Sequence, residues 1–320
     1  MKSTVKKLAI ILVISTFSQQ VFALSISDCK NIHEALERLV CYDKISNYRG
    51  PLVKESKDIR EPENKQVPLK RSGFAISPHK LTYFMPGSYN TNRRSNSESP
   101  ETPQAERLDD LEVKFQFSFK FPLWEEVLGE GTELMTAYTQ KSFWQMYNSS
   151  LSSPFRETNY TPEVYLSIFH DINFLGLKLV NSNFGFVHES NGRSNLLSRS
   201  WNRVYSDFIF SQGNFAMSIK PWLRVKEKFE DDDNPDIEDY LGHYELGFLY
   251  QWKGNEITLM LRNIEGNKHQ ATYRLGWLFP LNEDINMYFE YFHGYGDSLI
   301  DYNRLNETFG IGFAITDWVE

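Results

Sequence analysis

The stretch "EVKFQFSFKFPLW", residues 112–124, alternates apolar and polar side chains over most of its length. Val113 and the four phenylalanines that follow it fall in one phase, whereas Lys114, Gln116, Ser118 and Lys120 fall in the other. Successive side chains of a β-strand point to opposite faces of the sheet. The pattern therefore predicts a strand with one apolar face and one polar face.

Ten further runs of this kind follow, almost to the end of the chain: "ELMTAYTQKSFWQMY", "EVYLSIFHDINF", "KLVNSNFGFVHES", "NRVYSDFIF", "NFAMSIKPWL", "GHYELGFLYQW", "EITLMLRNI", "ATYRLGWLFPL", "NMYFEYFHGY" and "ETFGIGFAITDW". A weaker run, "KLTYFMPGSY", contains Pro86 and would be a twelfth strand. Each run is close to the roughly 9 to 11 residues that a tilted strand needs to cross a bilayer. Short connections such as "SQG" and "KGN" indicate tight turns between neighbouring strands. The chain is therefore predicted to be all-β.

Two architectures fit such runs: a soluble β-sandwich or barrel, and a transmembrane barrel with a polar lumen. Two features favour the transmembrane barrel. Charged residues recur in the polar phase, as a lumen would require: Lys114, Lys120, Lys220, Arg262 and Arg274. Tryptophans also lie near the ends of runs, where an aromatic girdle would be: Trp124, Trp144, Trp222 and Trp318.

The N-terminus has the three parts of a secretory signal peptide, predicted over residues 1–23. Lys2, Lys6 and Lys7 precede the short apolar stretch Leu8 to Phe17, and the small residue Ala23 ends the segment. The formal net charge of the whole chain is −8. So acidic a chain argues against nucleic acid as a partner, because phosphates bind basic surfaces.

Residues 24–110 are predicted to form an N-terminal extension, helical or disordered in part, and residues 111–320 the barrel. Cys29 and Cys41 lie just after the signal peptide, and in an exported protein such a pair indicates a disulfide. The rest of the extension is rich in charge, Ser, Asn and Pro, apart from the possible strand near residues 81–90.

The segment "NFGFVHESNGRSNLLSRSWNRVY", residues 183–205, places polar residues in the apolar phase. His188 and Ser190 fall in phase with Phe184 and Phe186, and Asn202 falls in phase with Val204 on the next run. All three polar side chains would then lie together on the lipid-facing surface of two neighbouring strands. Polar residues in such a position indicate function.

These three residue types can form a nucleophilic triad. Ser190 needs a base to remove its proton, and His188, two residues away on the same face, can supply it. Asn202 would orient the imidazole while remaining neutral, which suits a surface where a lone charge is costly. The substrate would be a phospholipid ester that enters from the bilayer. The alternative is a non-enzymatic barrel, a small pore or scaffold, in which the His/Ser pair is structural.

The segment "HESNGRSNLLSRSWNR" resembles the active-site segment of the outer membrane phospholipase A family. "YTQKSFWQ", "SSPFRETNY", "KPW", "DDNPDI" and "GYGDSLIDYN" also resemble that family, in the same order. The resemblance implies a twelve-stranded antiparallel barrel in the bacterial outer membrane that releases fatty acid from both acyl positions of phospholipids and also from lysophospholipids. It implies that His188 is the base, Ser190 the nucleophile and Asn202 the orienting residue. The amide of Gly192 would contribute to the oxyanion hole.

The same resemblance implies a calcium cofactor held between two copies of the chain. Its ligands would be Arg193, through its carbonyl, Ser198, Asp233, and Ser152 of the partner subunit. The chain departs from the family pattern in having Asn195 and Glu189 where the family has Asp, and in ending with Val319 and Glu320 after its last tryptophan. Asn195 puts a second calcium site in question.

Gln140 indicates where two copies would meet. Lys141 falls in the phase expected to face the lumen, so Gln140 falls outside, in phase with Tyr138 and Trp144. An amide in lipid costs free energy unless it finds a hydrogen-bonding partner. Two interpretations remain: Gln140 bonds to water at the headgroup level, or it pairs across a two-fold homodimer interface.

Overall fold

The computed structural model describes residues 76–92, 108–228, 230, 232–265, 270–282 and 285–315. The predicted signal peptide, the Cys29 and Cys41 pair and most of the polar extension lie outside these residues, as do Trp318, Val319 and Glu320. No helix in the described ranges is long and apolar enough to cross a membrane.

The described chain forms one antiparallel sheet. Its strands are β1 (Ser77–Pro78), β2 (Tyr83–Asn90), β3 (Leu111–Glu125), β4 (Thr132–Trp144), β5 (Phe155–Phe174), β6 (Leu177–Ser190), β7 (Ser200–Gln212), β8 (Phe215–Val225), β9 (Tyr244–Trp252), β10 (Asn255–Arg262), β11 (Thr272–Pro280), β12 (Asn286–Gly294) and β13 (Asn306–Ala314). Each strand from β3 to β13 pairs with its sequence neighbours. Because β2 pairs with both β13 and β3, the sheet closes into a barrel of twelve strands, β2–β13.

The weaker run near residues 81–90 is therefore a full member of the barrel, which begins at Tyr83 rather than at residue 111. The two-residue strand β1 pairs with β3 just beyond the end of β2, at Ser77↔Lys120 and Pro78↔Phe119. Strands β1 and β2 thus act as one interrupted strand. Between them the chain turns inward, so that the His79 imidazole lies 2.7 Å from the Glu163 carboxylate and Leu81 is buried.

Connections differ sharply between the two ends of the barrel. At one end, β5–β6, β7–β8 and β9–β10 are joined by two-residue turns. Leu175–Gly176 and Lys253–Gly254 both have positive φ at each position, as a type I′ hairpin turn requires. At the other end the connections are longer and include a five-residue helix, Ile237–Leu241, between β8 and β9. Outer-membrane barrels have this same asymmetry.

Apolar side chains cover the outside of the barrel, as the alternation predicts. Exposed side chains lie on most of its strands: Phe84, Phe117, Val164, Phe184, Phe186, Val204, Leu223, Tyr250, Ile257, Leu275, Trp277, Phe309 and Ile311. Trp124 is exposed near the end of β3, as a girdle residue would be. The prediction for Trp222 is wrong. Its indole is buried, packs edge-on against Trp201 and donates a hydrogen bond to the carbonyl of Gly242, because position 222 falls in the inward phase of β8.

Ion pairs occupy the inside of the barrel, which confirms the predicted polar lumen. Lys114 Nζ lies 2.7 Å from the Glu290 carboxylate and 2.8 Å from that of Asp297, and Lys114 is fully buried. Arg274 and Lys141 also approach Asp297, at 3.3 Å and 3.6 Å. Burial alone would raise the pKa of Asp297, but the charges of Lys114, Lys141 and Arg274 hold it below its usual range.

Lys114→Ala is expected to destabilise the barrel by about 3 to 5 kcal/mol, because it leaves buried carboxylates without their main partner. Urea or guanidinium unfolding in detergent, followed by tryptophan fluorescence, would measure the change. Lys178→Ala is the control, since Lys178 pairs with the largely exposed Asp171 and such pairs contribute less than about 1 kcal/mol. Equal losses in the two variants would contradict this account of the lumen.

Candidate active site

Strands β6 and β7 bring His188 and Asn202 side by side. The two residues are directly paired in the β6–β7 register, and His188 Nδ1 lies 2.9 Å from Asn202 Oδ1. Ser190 is the last residue of β6, in the same outward phase as His188. All three side chains are half-buried. The structure thus brings the predicted triad residues together on the outer surface, beside exposed Phe186 and Val204.

The Ser190 hydroxyl makes no hydrogen bond to the imidazole within the described residues. His188 Nδ1 is engaged by Asn202, which leaves Nε2 for the serine. Hydrogen bonds of catalytic groups are often long in the absence of substrate. The contact between Ser190 and Nε2 that catalysis requires therefore stays a prediction.

A cluster around the buried Trp201 on the inner face of the barrel supports the site. Glu189 points inward and accepts hydrogen bonds of 3.0 Å from Trp201 Nε1 and 2.7 Å from Arg203. The Arg203 guanidinium lies 3.8 Å from the centre of a Trp201 ring. Since Trp201 and Arg203 flank Asn202, these contacts tie β7 to β6 at the level of the triad.

The β6–β7 connection, residues 191–199, is organised by Asn191. Its side chain donates to the carbonyl of Leu197 and accepts from the amides of Arg193 and Arg199. Gly192 has a φ of +64°, and a Cβ there would lie 3.1 Å from the Tyr160 ring. The Gly192 amide makes no hydrogen bond within the described chain, so it can donate to an oxyanion.

Two of the predicted calcium ligands meet. Ser198 Oγ donates a 2.6 Å hydrogen bond to Asp233, which joins the β6–β7 and β8–β9 connections. Hydroxyl and carboxylate oxygens are donors that a hard cation prefers, so this pair fits calcium. Within the described ranges no group of three or more His, Cys, Asp or Glu side chains forms a metal site.

The other two predicted ligands, Arg193 and Ser152, make their contacts elsewhere in the described chain. The Arg193 side chain reaches Glu157 and the carbonyl of Arg156 on β5. Ser152 is exposed in the β4–β5 connection, with a φ of +62°. No contact within the described chain joins Ser152 to Ser198 or Asp233, so its role as a ligand from the partner subunit stays a prediction.

Gln140 lies in the same row across the strands as the site. It is paired with Tyr160, which is in turn paired with Ser190. The amide is not alone, contrary to the sequence-based expectation. It accepts a 3.2 Å hydrogen bond from Tyr138 and donates a 3.4 Å one to Ser142. Its place in a dimer interface stays a prediction.

The sequence reasoning missed Glu227. Its carboxylate accepts a 2.9 Å hydrogen bond from Asn202 Nδ2. Glu227 follows β8, whose residue Val225 pairs with Asn202, and it continues the outward phase of Leu223 and Val225. Extending that phase by one step beyond the apolar residues would have located it.

Comparison with known proteins identifies the family. The sequence model of the family described as Phospholipase A1 matches residues 60–315. The phospholipase A1 of Escherichia coli strain K12 is 38% identical over 245 residues, covering 76% of this chain and 82% of that protein. The Proteus vulgaris phospholipase A1 is 35% identical over 245 residues, with the same coverage. The chain belongs to the phospholipase A1 family.

Solved structures agree with this assignment. The outer membrane phospholipase A of Escherichia coli superposes with a TM-score of 0.70 at 36% identity, covering 76% of this chain and 99% of that one. The Salmonella typhi outer membrane phospholipase, solved as a dimer with bound calcium, gives a TM-score of 0.70 at 34% identity, covering 79% of this chain and 94% of that one. The predicted resemblance and the twelve-stranded antiparallel barrel are thereby confirmed.

Gly192→Ala is expected to lower ester hydrolysis by roughly tenfold or more, because the new Cβ crowds Tyr160 and shifts the amide beside Ser190. Gly176→Ala is the matched control. Gly176 also has positive φ, but nothing lies within 4 Å of its added Cβ. Hydrolysis of a soluble chromogenic ester would be measured for both folded variants. Unchanged kcat in Gly192→Ala would contradict the expected displacement of this amide by the new Cβ.

Proposed function

We propose that this chain is a serine hydrolase of the bacterial outer membrane that cleaves acyl esters of phospholipids and lysophospholipids. The observation that carries the proposal is the 2.9 Å contact between His188 Nδ1 and Asn202 Oδ1, on the apolar outer surface and two residues from Ser190. A hydrolase whose substrates are dissolved in water would not need its hydrogen-bonded His and Asn pair on a lipid-facing surface. The named activity of the family and the outer-membrane relatives support the same conclusion.

In the proposed reaction Ser190 Oγ attacks the ester carbonyl carbon while His188 Nε2 takes the hydroxyl proton. Asn202 holds the imidazole with Nδ1–H directed at its own oxygen. The Gly192 amide donates to the oxyanion as it forms. The imidazolium then protonates the leaving alcohol oxygen of the lysolipid. Water, deprotonated by His188, finally releases the fatty acid from Ser190.

Calcium would be held by Ser198, Asp233, the Arg193 carbonyl and Ser152 of the partner subunit. When bound there, it would stabilise the negative charge of the oxyanion, directly or through a water. Arg193 and Ser198 lie in the segment 191–199, which directly follows Ser190. This closeness along the chain supports a link between cation binding and the serine. The calcium-bound dimer of the Salmonella typhi relative supports the same partnership.

A passive pore or scaffold is the competing function. The lumen counts against a pore, because Lys114, Glu290 and Asp297 are buried within it and paired with one another. Apolar side chains such as Leu81, Met85 and Tyr288 fill another part of the interior.

Ser190→Ala is the decisive variant. Purified protein in detergent with calcium should release fatty acid from phospholipid, and Ser190→Ala should lower kcat by at least about 10³-fold. Chelation of calcium should abolish hydrolysis by the unaltered chain. Equal fatty-acid release by the two proteins would contradict the proposed function of Ser190.

A calcium titration tests the dimer. Calcium is expected to convert monomers into crosslinkable dimers in step with activity, because ligands from two chains complete its shell. Gln140→Ala should raise the calcium concentration needed for both changes by weakening the interface. Full activity in a preparation that stays monomeric at every calcium concentration would rule this mechanism out.

A further inference from the structure

Glu227 extends the hydrogen-bonded chain of the active site by one residue. Its Oε1 accepts from Asn202 Nδ2 at 2.9 Å, while Asn202 Oδ1 faces His188 Nδ1 at 2.9 Å. Each end of the asparagine amide therefore has one partner. The carboxylate lies just beyond β8, on the strand neighbour of Asn202, and is half-buried.

The two ends of an asparagine amide have opposite hydrogen-bonding roles, since the oxygen accepts and the nitrogen donates. With the oxygen towards the imidazole, Nδ1 carries the proton and Nε2 is free to accept the proton of Ser190. With the amide reversed, its nitrogen would donate to Nδ1, the ring proton would move to Nε2, and His188 could not act as the base. An asparagine alone does not distinguish these two states.

A carboxylate removes the ambiguity. Ionised Glu227 can only accept, so it binds the nitrogen end of the amide and excludes the reversed orientation. We propose that Glu227 is a positioning residue of this enzyme, which acts through Asn202 to hold His188 in the tautomer that activates Ser190.

This arrangement also explains how a neutral orienting residue works. Asp in place of Asn202 would put a charge on the lipid-facing surface, where it is costly. Here the charge stands one residue further away, in the connection after β8, between the exposed residues Lys226 and Lys228. The negative charge of Glu227 polarises the Asn202 amide. The polarised amide in turn stabilises the His188 imidazole, particularly when it carries a positive charge.

The inference rests on the proposed function and is tested first by kinetics in detergent with calcium. Glu227→Ala should lower kcat about tenfold, roughly the effect of losing one charged hydrogen bond, and leave KM within about twofold. Glu227→Gln should recover little of that loss, because a glutamine amide can donate as well as accept and so permits both orientations of Asn202. Glu230→Ala is the matched control: Glu230 is an exposed acid in the same connection and should keep parental kcat.

A double-mutant cycle separates positioning from general disturbance of the loop. In an Asn202→Ala background Glu227→Ala should cause no further loss of kcat, since its route to His188 is gone. Asn202→Asp should be impaired by the adjacent carboxylates, and Glu227→Gln should restore it, because the new amide donates to the new carboxylate. Additive losses in the first cycle would overturn the proposal.

The tautomer of His188 gives a readout that does not require turnover. Ring ¹⁵N chemical shifts, assigned by their absence in His188→Gln, should show the Nδ1–H form in the unaltered chain and a mixture in Glu227→Ala. An identical tautomer in both proteins would overturn the positioning role even if both hydrolyse phospholipid. Failure of the proposed function would be seen separately, as hydrolysis by the unaltered chain that does not depend on Ser190.

Discussion

Strand alternation within a closed sheet is the constraint on which the rest of the molecule depends. Every barrel strand is paired on both sides, so no strand can slip by one residue without reversing both of its faces. Such a slip in β3 would move Lys114 out of its contacts with Glu290 and Asp297 and into lipid. The buried ion pairs therefore fix the register. The same register directs His188 and Ser190 outward.

The candidate active site lies where two opposing demands meet. Catalysis needs hydrogen-bonding groups, but it costs free energy to place such groups on a surface that faces lipid. The chain meets both demands because the three outward residues are neutral. The charged residues lie on the inner face of the barrel or beyond the end of β8. Glu189 and Arg203 form the ion pair on the inner face, and Glu227 lies beyond the end of β8. Each charge has a partner, and none stands alone against lipid.

The sequence predicted most of the fold, because period-two alternation is a direct consequence of strand geometry. It also located His188, Ser190 and Asn202, whose polarity contradicts the phase that they occupy. It failed for Trp222, which was assigned to the girdle because it lies near the end of its run, although it shares the inward phase of Lys220. Glu227 was missed because it lies beyond the apolar residues by which the run was recognised, although it continues their outward phase.

The connection after β8 links the triad to the candidate calcium site. Besides Glu227 it supplies Asp233, which accepts a hydrogen bond from Ser198, while its neighbours anchor it to the barrel. Asp232 accepts from Arg224 at 2.6 Å, and buried Asn234 accepts from the amide of Ser200 at 2.9 Å. Ser200 pairs with Ser190 across β6 and β7, so the segment that carries Asp233 is hydrogen-bonded to the strand beside the candidate nucleophile. The candidate calcium ligand Asp233 and Glu227, the partner of Asn202, therefore belong to the same connection.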